Sequence, residues 1–156
     1  MVLQKNNHHL PHPQGIVFDC DGTLADTMPL HWRAWQVIAA RHDFDLTEER
    51  FYSMGGVPAR DILRMLSAEQ GLGFDPLAVA REKEAEYLPL IAQVEPINVV
   101  VAVARENYGK IPMAVASGGT RRAIEHVLNH LDIRDLFQAI VTSSLRCSRS
   151  LVNCSE

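Results

Sequence analysis

The sequence predicts an α/β fold in which a parallel sheet is interrupted by a long helical insertion, and three observations carry that expectation. Short apolar runs occur at Ile16–Phe18, Ile111–Ala116 and Phe137–Val141, each of a length and composition that fits a buried strand. Between the first and second runs, the residues from about 30 to 96 show helical spacing and no strand pattern. The first two runs end in turns rich in Asp, Ser, Gly and Thr, and the carboxyl ends of strands are where open α/β sheets place their ligands.

With 156 residues, of which 47% are hydrophobic, the chain has the length of one ordinary domain and enough apolar material for a core. A net charge of −4 without a Lys/Arg stripe argues against nucleic acid as a partner. No apolar run approaches the length of a membrane span, so no membrane partner is expected. Residues 1–14 are polar and lack the apolar stretch of a signal peptide. They read as a disordered leader, in which His8, His9 and His12 are tail residues rather than a metal site. Cys20, Cys147 and Cys154 form no C-x-x-C pair and are odd in number, which fits a reduced, cytoplasmic setting better than a disulfide framework.

Taken in order, Ile16-Val17-Phe18 is the first strand, followed by Asp19-Cys20-Asp21-Gly22-Thr23. Pro29 then marks a helix start, with Asp26 or Thr27 as its N-cap, and apolar spacing carries that helix to about His42. Further helices are expected over residues 47–54, 59–70 and 76–93. They are broken at Gly55-Gly56-Val57-Pro58 and Gly71-Leu72-Gly73, since Gly and Pro punctuate helices. A helix over 97–108 leads to the second strand, which ends in Ser117-Gly118-Gly119-Thr120 before a helix over 121–131. After the third strand, residues 143–156 turn to a Ser, Arg and Cys composition with no periodicity and read as an atypical tail.

The chemistry lies in the two turns. Asp19 and Asp21 are close enough to repel and are costly to desolvate together, so both stay ionised only with a cation or with divided roles. Mg²⁺ takes oxygen ligands and often only one or two carboxylates plus phosphate oxygens. Gly22 permits a sharp turn, and Thr23 offers a hydroxyl and an amide at the same height. Ser117 and the amides that follow it open a helix, a ready anion site. Taken alone, either stretch would read as an ordinary turn.

Asp-x-Asp-Gly-Thr-Leu-x-Asp-Thr on an apolar strand resembles the first motif of the haloacid dehalogenase (HAD) superfamily, and the resemblance extends over roughly residues 15–142. Within that superfamily the chain looks like the β-phosphoglucomutase and sugar phosphatase group. The implied fold is a Rossmann-like core over 15–29 and 97–142, with a helical cap over 30–96. The resemblance implies that Asp19 is the nucleophile that forms an aspartyl-phosphate, that Asp21 is the acid/base, and that both stand at a Mg²⁺ site. It implies that Thr23, Ser117 and Gly118 bind phosphate. In the cap, His31, Arg60 and Lys83 become candidate substrate contacts, with Lys83 meeting His31 on closure and Gly55–Pro58 reading the substrate. The expected substrate is a small phosphorylated sugar.

The chain departs from the family pattern at its far end. The last Lys is Lys110, and the only carboxylate beyond Asp135 is Glu156, so neither the family's Lys after the third strand nor its acidic motif after a fourth is found. The expected sheet is therefore incomplete at its C-terminal side, with the first strand as an edge. Three readings remain open at this stage: a Mg²⁺-dependent sugar phosphatase, toward which Pro58 leans, a β-phosphoglucomutase, and a truncated relative without catalysis.

Overall fold

The computed structural model describes residues 13–143; the predicted leader, almost entirely, and the tail beyond Ser143 lie outside the described residues. The strands β1 (Ile16–Phe18), β2 (Met113–Ser117) and β3 (Ala139–Thr142) form a parallel sheet in the order β1-β2-β3. Ile16 pairs with Met113 and Phe18 with Val115, while Val115 pairs with Ile140 and Ser117 with Thr142. Because side chains alternate along a strand, this register puts Phe18, Met113, Val115 and Ile140 on one face, where they are buried. Val17 and Val141 fall on the other and are exposed. Among the described residues β1 is an edge, as the sequence predicts.

Among the described residues there are six α-helices: α1 (Met28–His42), α2 (Glu48–Ser53), α3 (Ala59–Gln70), α4 (Pro76–Tyr87), α5 (Asn98–Asn107) and α6 (Arg121–His130). The predicted helix over 76–93 is corrected in one respect: α4 ends at Tyr87 and a 3-10 helix runs over Leu88–Gln93. Pro89 lies at the changeover; it has no N–H to donate to an α-helical ladder and its ring crowds the preceding turn. The second strand also starts later than predicted, since Met113 follows Pro112, and it runs on to include Ser117.

Two apolar clusters hold the chain together. The larger lies under the sheet and joins Phe18, Met113, Val115 and Ile140 to α5 and α6 through Val101, Ile124 and Leu128. The smaller lies within the inserted helices, around Trp35, Ile38, Phe44, Phe51, Leu63, Leu66 and Val79. Leu30, Ala34, Tyr87 and Ile91 belong to the insertion by sequence but pack into the larger cluster. Burying side chains of this size contributes about 1.5–3 kcal/mol each before entropy is counted.

The insertion leaves and rejoins the core side by side. Asp26 N–H donates to the Glu95 carbonyl at 2.9 Å and Ile97 N–H to the Leu24 carbonyl at 3.0 Å. Ala25 forms an isolated antiparallel bridge with Pro96. Two adjacent crossings, paired to each other, make a narrow junction between the helical layer and the sheet.

Candidate active site

The turn after β1 is built by one carbonyl. Thr23, Leu24 and Ala25 all donate their N–H to the Cys20 carbonyl, at 3.2, 3.0 and 3.1 Å. Gly22 completes the turn with φ of 75°, a left-handed conformation that costs glycine nothing. Cys20 is fully buried, Asp19 opens to solvent, and the turn brings Asp21, only part-exposed, toward α1 and β2.

The Asp21 carboxylate is heavily hydrogen-bonded. Oδ1 accepts from Thr27 Oγ1 at 2.7 Å and from His31 Nε2 at 3.2 Å, and Oδ2 accepts from Ser117 Oγ at 3.2 Å. Burial alone would raise its pKa, but the hydrogen bond and charge interaction with His31, together with the two hydroxyl donors, outweigh it. The group is held below the usual carboxylate value. Thr27 was expected as the cap of α1 and does stand at that position, but its side chain makes no cap hydrogen bond. Its one O–H is directed to Asp21 instead.

Behind Asp21 the chain of contacts continues. Lys83 Nζ donates to His31 Nδ1 at 2.7 Å, which leaves Nε2 as the protonated ring nitrogen facing Asp21, an assignment made from partners. Desolvation, followed by the nearby charge of Lys83, lowers the His31 pKa below its ordinary value. The hydrogen bond to Asp21 and the charge of that residue work the other way. The ring stacks on Tyr87 with centroids 3.8 Å apart. Lys83 is 7% exposed and its ammonium lies 5.0 Å from the Tyr87 ring centroid and 5.8 Å from that of Trp35. Burial brings its pKa down to about 8, with the charges of Asp21 and Glu84 working the other way.

Asp19 is the contrasting group. Among the described residues the only side chain donating to it is Thr23, whose Oγ1 lies 3.2 Å from Oδ2. Desolvation raises its pKa more than its hydrogen bonds to Cys20 and Thr23 lower it, and Asp21 adds to the rise. A carboxylate short of compensating charge at the end of a strand suits a hard cation. Of the two carboxylates expected at such a cation, Asp19 is the more open, while both Asp21 oxygens also accept from protein donors. Among the described residues no three His, Cys, Asp or Glu side chains are grouped to hold a metal.

Ser117 and Gly118 come to the same place from β2. Gly119 N–H donates to Ser117 Oγ at 3.0 Å, and Thr120 caps α6 by accepting from Ala123 N–H at 3.3 Å. Of the cap candidates, His31 and Lys83 meet as predicted. Arg60 does not join them: it is exposed and its Nε pairs with Asp61 at 3.4 Å. The site residues that sequence reading missed are Thr27, Tyr87 and Glu84, whose carboxylate accepts from Thr120 Oγ1 at 2.6 Å. Tyr87 had one usable signal, its position four residues after Lys83 on the same helix face.

The family described as haloacid dehalogenase-like hydrolase matches residues 16–146. The chain is 34% identical over 130 residues to fructose-1-phosphate phosphatase YqaB of Escherichia coli, covering 83% of this chain and 69% of that protein. It is 24% identical to the phosphorylated carbohydrates phosphatase of Thermotoga maritima, covering 82% of this chain and 60% of that one. The β-phosphoglucomutase structure from Clostridium difficile superposes with a TM-score of 0.70 at 25% identity, covering 86% of this chain and 63% of the other. The chain thus spans only part of the length of each of these proteins. The part it spans holds the acidic turn after β1, the Ser-Gly turn after β2 and the helices between them, and on that match the chain belongs to the haloacid dehalogenase-like hydrolase family.

Proposed function

We propose that the protein acts on phosphorylated sugars as a phosphoric monoester hydrolase, with Asp19 as nucleophile and Asp21 as acid and base. The observation that carries this reading is the division between the two carboxylates. Asp19 is open and short of positive charge, and Asp21 is aligned by three donors and backed by His31 and Lys83. The names of the relatives, which describe phosphatases of fructose 1-phosphate and of phosphorylated carbohydrates, support the substrate class.

In this reading Asp19 attacks phosphorus and the bond to the sugar oxygen breaks. That oxygen takes a proton from Asp21. Since the Asp21 pKa is held low, its proton has to be supplied, and the contacts behind it form a route. Lys83 Nζ passes a proton to His31 Nδ1 as His31 Nε2 passes one to Asp21 Oδ1. The lowered pKa of Lys83, about 8, makes that transfer less costly than from an ordinary lysine. In the second half Asp21 takes a proton from water, which attacks the aspartyl-phosphate and frees Asp19, and the proton returns along the same route. On binding, the Thr23 and Ser117 hydroxyls rotate from Asp19 and Asp21 to donate to phosphoryl oxygens, beside the amide of Gly118. Mg²⁺, held through the carboxylate of Asp19, would neutralise phosphate charge when bound.

Release of inorganic phosphate from fructose 1-phosphate and related sugar phosphates, measured with and without Mg²⁺, tests the reading. Activity that persists undiminished in Asp19→Asn would remove its basis. A β-phosphoglucomutase activity is the second reading, supported by the superposed structure of that name. It would show as transfer between sugar hydroxyls in place of phosphate release.

A further inference from the structure

Two contacts that the proposed chemistry does not use tie the helical layer to the turn after β2. The first is the hydrogen bond from Thr120 Oγ1 to Glu84 Oε1, at 2.6 Å. Thr120 uses its O–H here and a lone pair to accept from Ala123, so one hydroxyl serves α6 and α4 together. The second is between two backbones. A Cβ placed on Gly118 would fall 2.3 Å from the Gly56 carbonyl oxygen and 3.1 Å from its carbonyl carbon. No real side chain fits at that distance. The backbone angle of Gly118 is outside the left-handed region, so its conformation alone does not demand glycine. Only the loop at Gly56 does.

The reverse substitution reads differently. A Cβ on Gly56 would meet nothing within 4 Å, and the need for glycine there comes from its φ of 81°. The helical layer has its own apolar cluster, crosses to the core twice at Ala25 and Pro96, and packs Leu30, Ala34, Tyr87 and Ile91 against the larger cluster. Glu84 and Gly56 add polar and backbone contacts on the side of the Ser117–Thr120 turn. Glu84 follows Lys83 on α4, so seating one seats the other.

We propose that Glu84 on Thr120 and Gly56 on Gly118 form a two-point latch that positions Lys83 and the 55–58 loop over the Ser117–Thr120 turn. Glu84 is a positioning residue, and Gly118 is a glycine because the latch closes on it. The proposal goes beyond the reading above and rests on it only in what the latch covers. Its test uses no substrate, so it stands or falls apart from the activity.

Spin labels on the full chain at Met65→Cys in α3 and Val103→Cys in α5, two partly exposed sites, read the angle between the layers by pulsed dipolar spectroscopy. Cys147→Ser and Cys154→Ser restrict labelling, and buried Cys20 stays unreacted. Losing a hydrogen bond to a charged acceptor should raise the ratio of open to closed distances about tenfold in Glu84→Ala. Gly118→Ala should raise it at least as much by wedging the loop away, while Glu84→Gln, whose amide oxygen still accepts from Thr120, should restore most of the closed population. Unchanged helical content by circular dichroism in each variant separates opening from unfolding. Distance distributions of Glu84→Ala and Gly118→Ala that superpose on the parent would overturn the latch, as would a Glu84→Gln protein as open as Glu84→Ala. If one alanine variant loses helix, the other decides, because the two act from opposite sides of the contact.

Discussion

Asp19 and Asp21 are two residues apart on one turn, yet the turn gives them opposite surroundings. The outer side of the turn offers Asp19 one hydroxyl and open solvent, and desolvation raises its pKa. The inner side offers Asp21 Thr27, His31 and Ser117, and its pKa is lowered. The split is made where the chain leaves the strand: three N–H groups fold back onto the Cys20 carbonyl, and the turn carries Asp21 toward α1 and β2. Two like groups acquire unlike chemistry from position alone: one is left with few donors and a raised pKa, the other with three donors and a lowered one.

The sharpest way to break this comparison is by activity. Asp19→Asn should lose at least about 10⁴-fold in turnover, as expected when a nucleophile is removed. Asp21→Asn should lose about 10²–10⁴-fold, the range of a general acid/base. Equal and small losses in both, by phosphate release, would dissolve the division of roles.

Lys83→Ala should reduce turnover of a sugar phosphate about tenfold more than that of p-nitrophenyl phosphate, because an aryl leaving group needs no proton from the His31 route. Identical losses on both substrates would detach Lys83 from Asp21. The same lysine sets a pH dependence. Its pKa is about 8 in the folded chain against an ordinary 10.5, so between those values the unfolded chain binds more protons and stability rises with pH. The full range is on the order of 3 kcal/mol. Melting of the parent should therefore improve relative to Lys83→Met from pH 8 to 10, and parallel curves for the two proteins would contradict the buried ammonium.

Stability should also separate the two carboxylates by sign. The raised pKa of Asp19 means that its ionised form disfavours folding, a penalty absent below pH 3.8 and complete above the folded value. At pH 7 Asp19→Asn should melt higher than the parent. Asp21 contributes stability above its ordinary carboxylate value, lost as pH falls through the lowered one, so Asp21→Asn should melt lower at pH 7. Shifts in the same direction would refute the contrast. The smallest effect is expected from Tyr87→Phe. Among the described residues the buried Tyr87 hydroxyl has no hydrogen-bond partner, so its removal should be neutral or stabilise by up to about 1 kcal/mol, read from a denaturant midpoint.

How much of this was legible in the sequence follows the range of the interactions. The acidic turn and the Ser-Gly turn were legible because each is a local pattern at a strand end, and the three strands because their apolar runs are continuous. The pairing of His31 with Lys83 came only through the family resemblance, and Arg60, expected on the same ground, lies exposed beside Asp61 and away from that pair. Thr27 was legible as a helix cap but not as a donor to Asp21, since its hydroxyl is claimed by a partner that only the fold brings near. Thr120, Glu84 and the reason for Gly118 were not legible, because they depend on where α4 and the Gly56 loop settle against β2. Pro89 was in plain view, and the uninterrupted helix over 76–93 underweighted it.

The paired crossings at Ala25 and Pro96 also bear on how the chain reaches its fold. β1 and β2 are neighbours in the sheet but lie roughly a hundred residues apart in sequence, and closing so long a loop has an entropic cost that slows nucleation. Helices of the insertion form from local contacts and bring its two ends together, with Asp26 against Glu95 and Leu24 against Ile97. Once that has happened, the effective connection between the strands shrinks to residues 19–24 on one side and 97–112, with α5, on the other. The helical layer therefore acts as a splint for the sheet, and substitutions in its own cluster, at Leu63 or Leu66, should slow the pairing of strands they never touch.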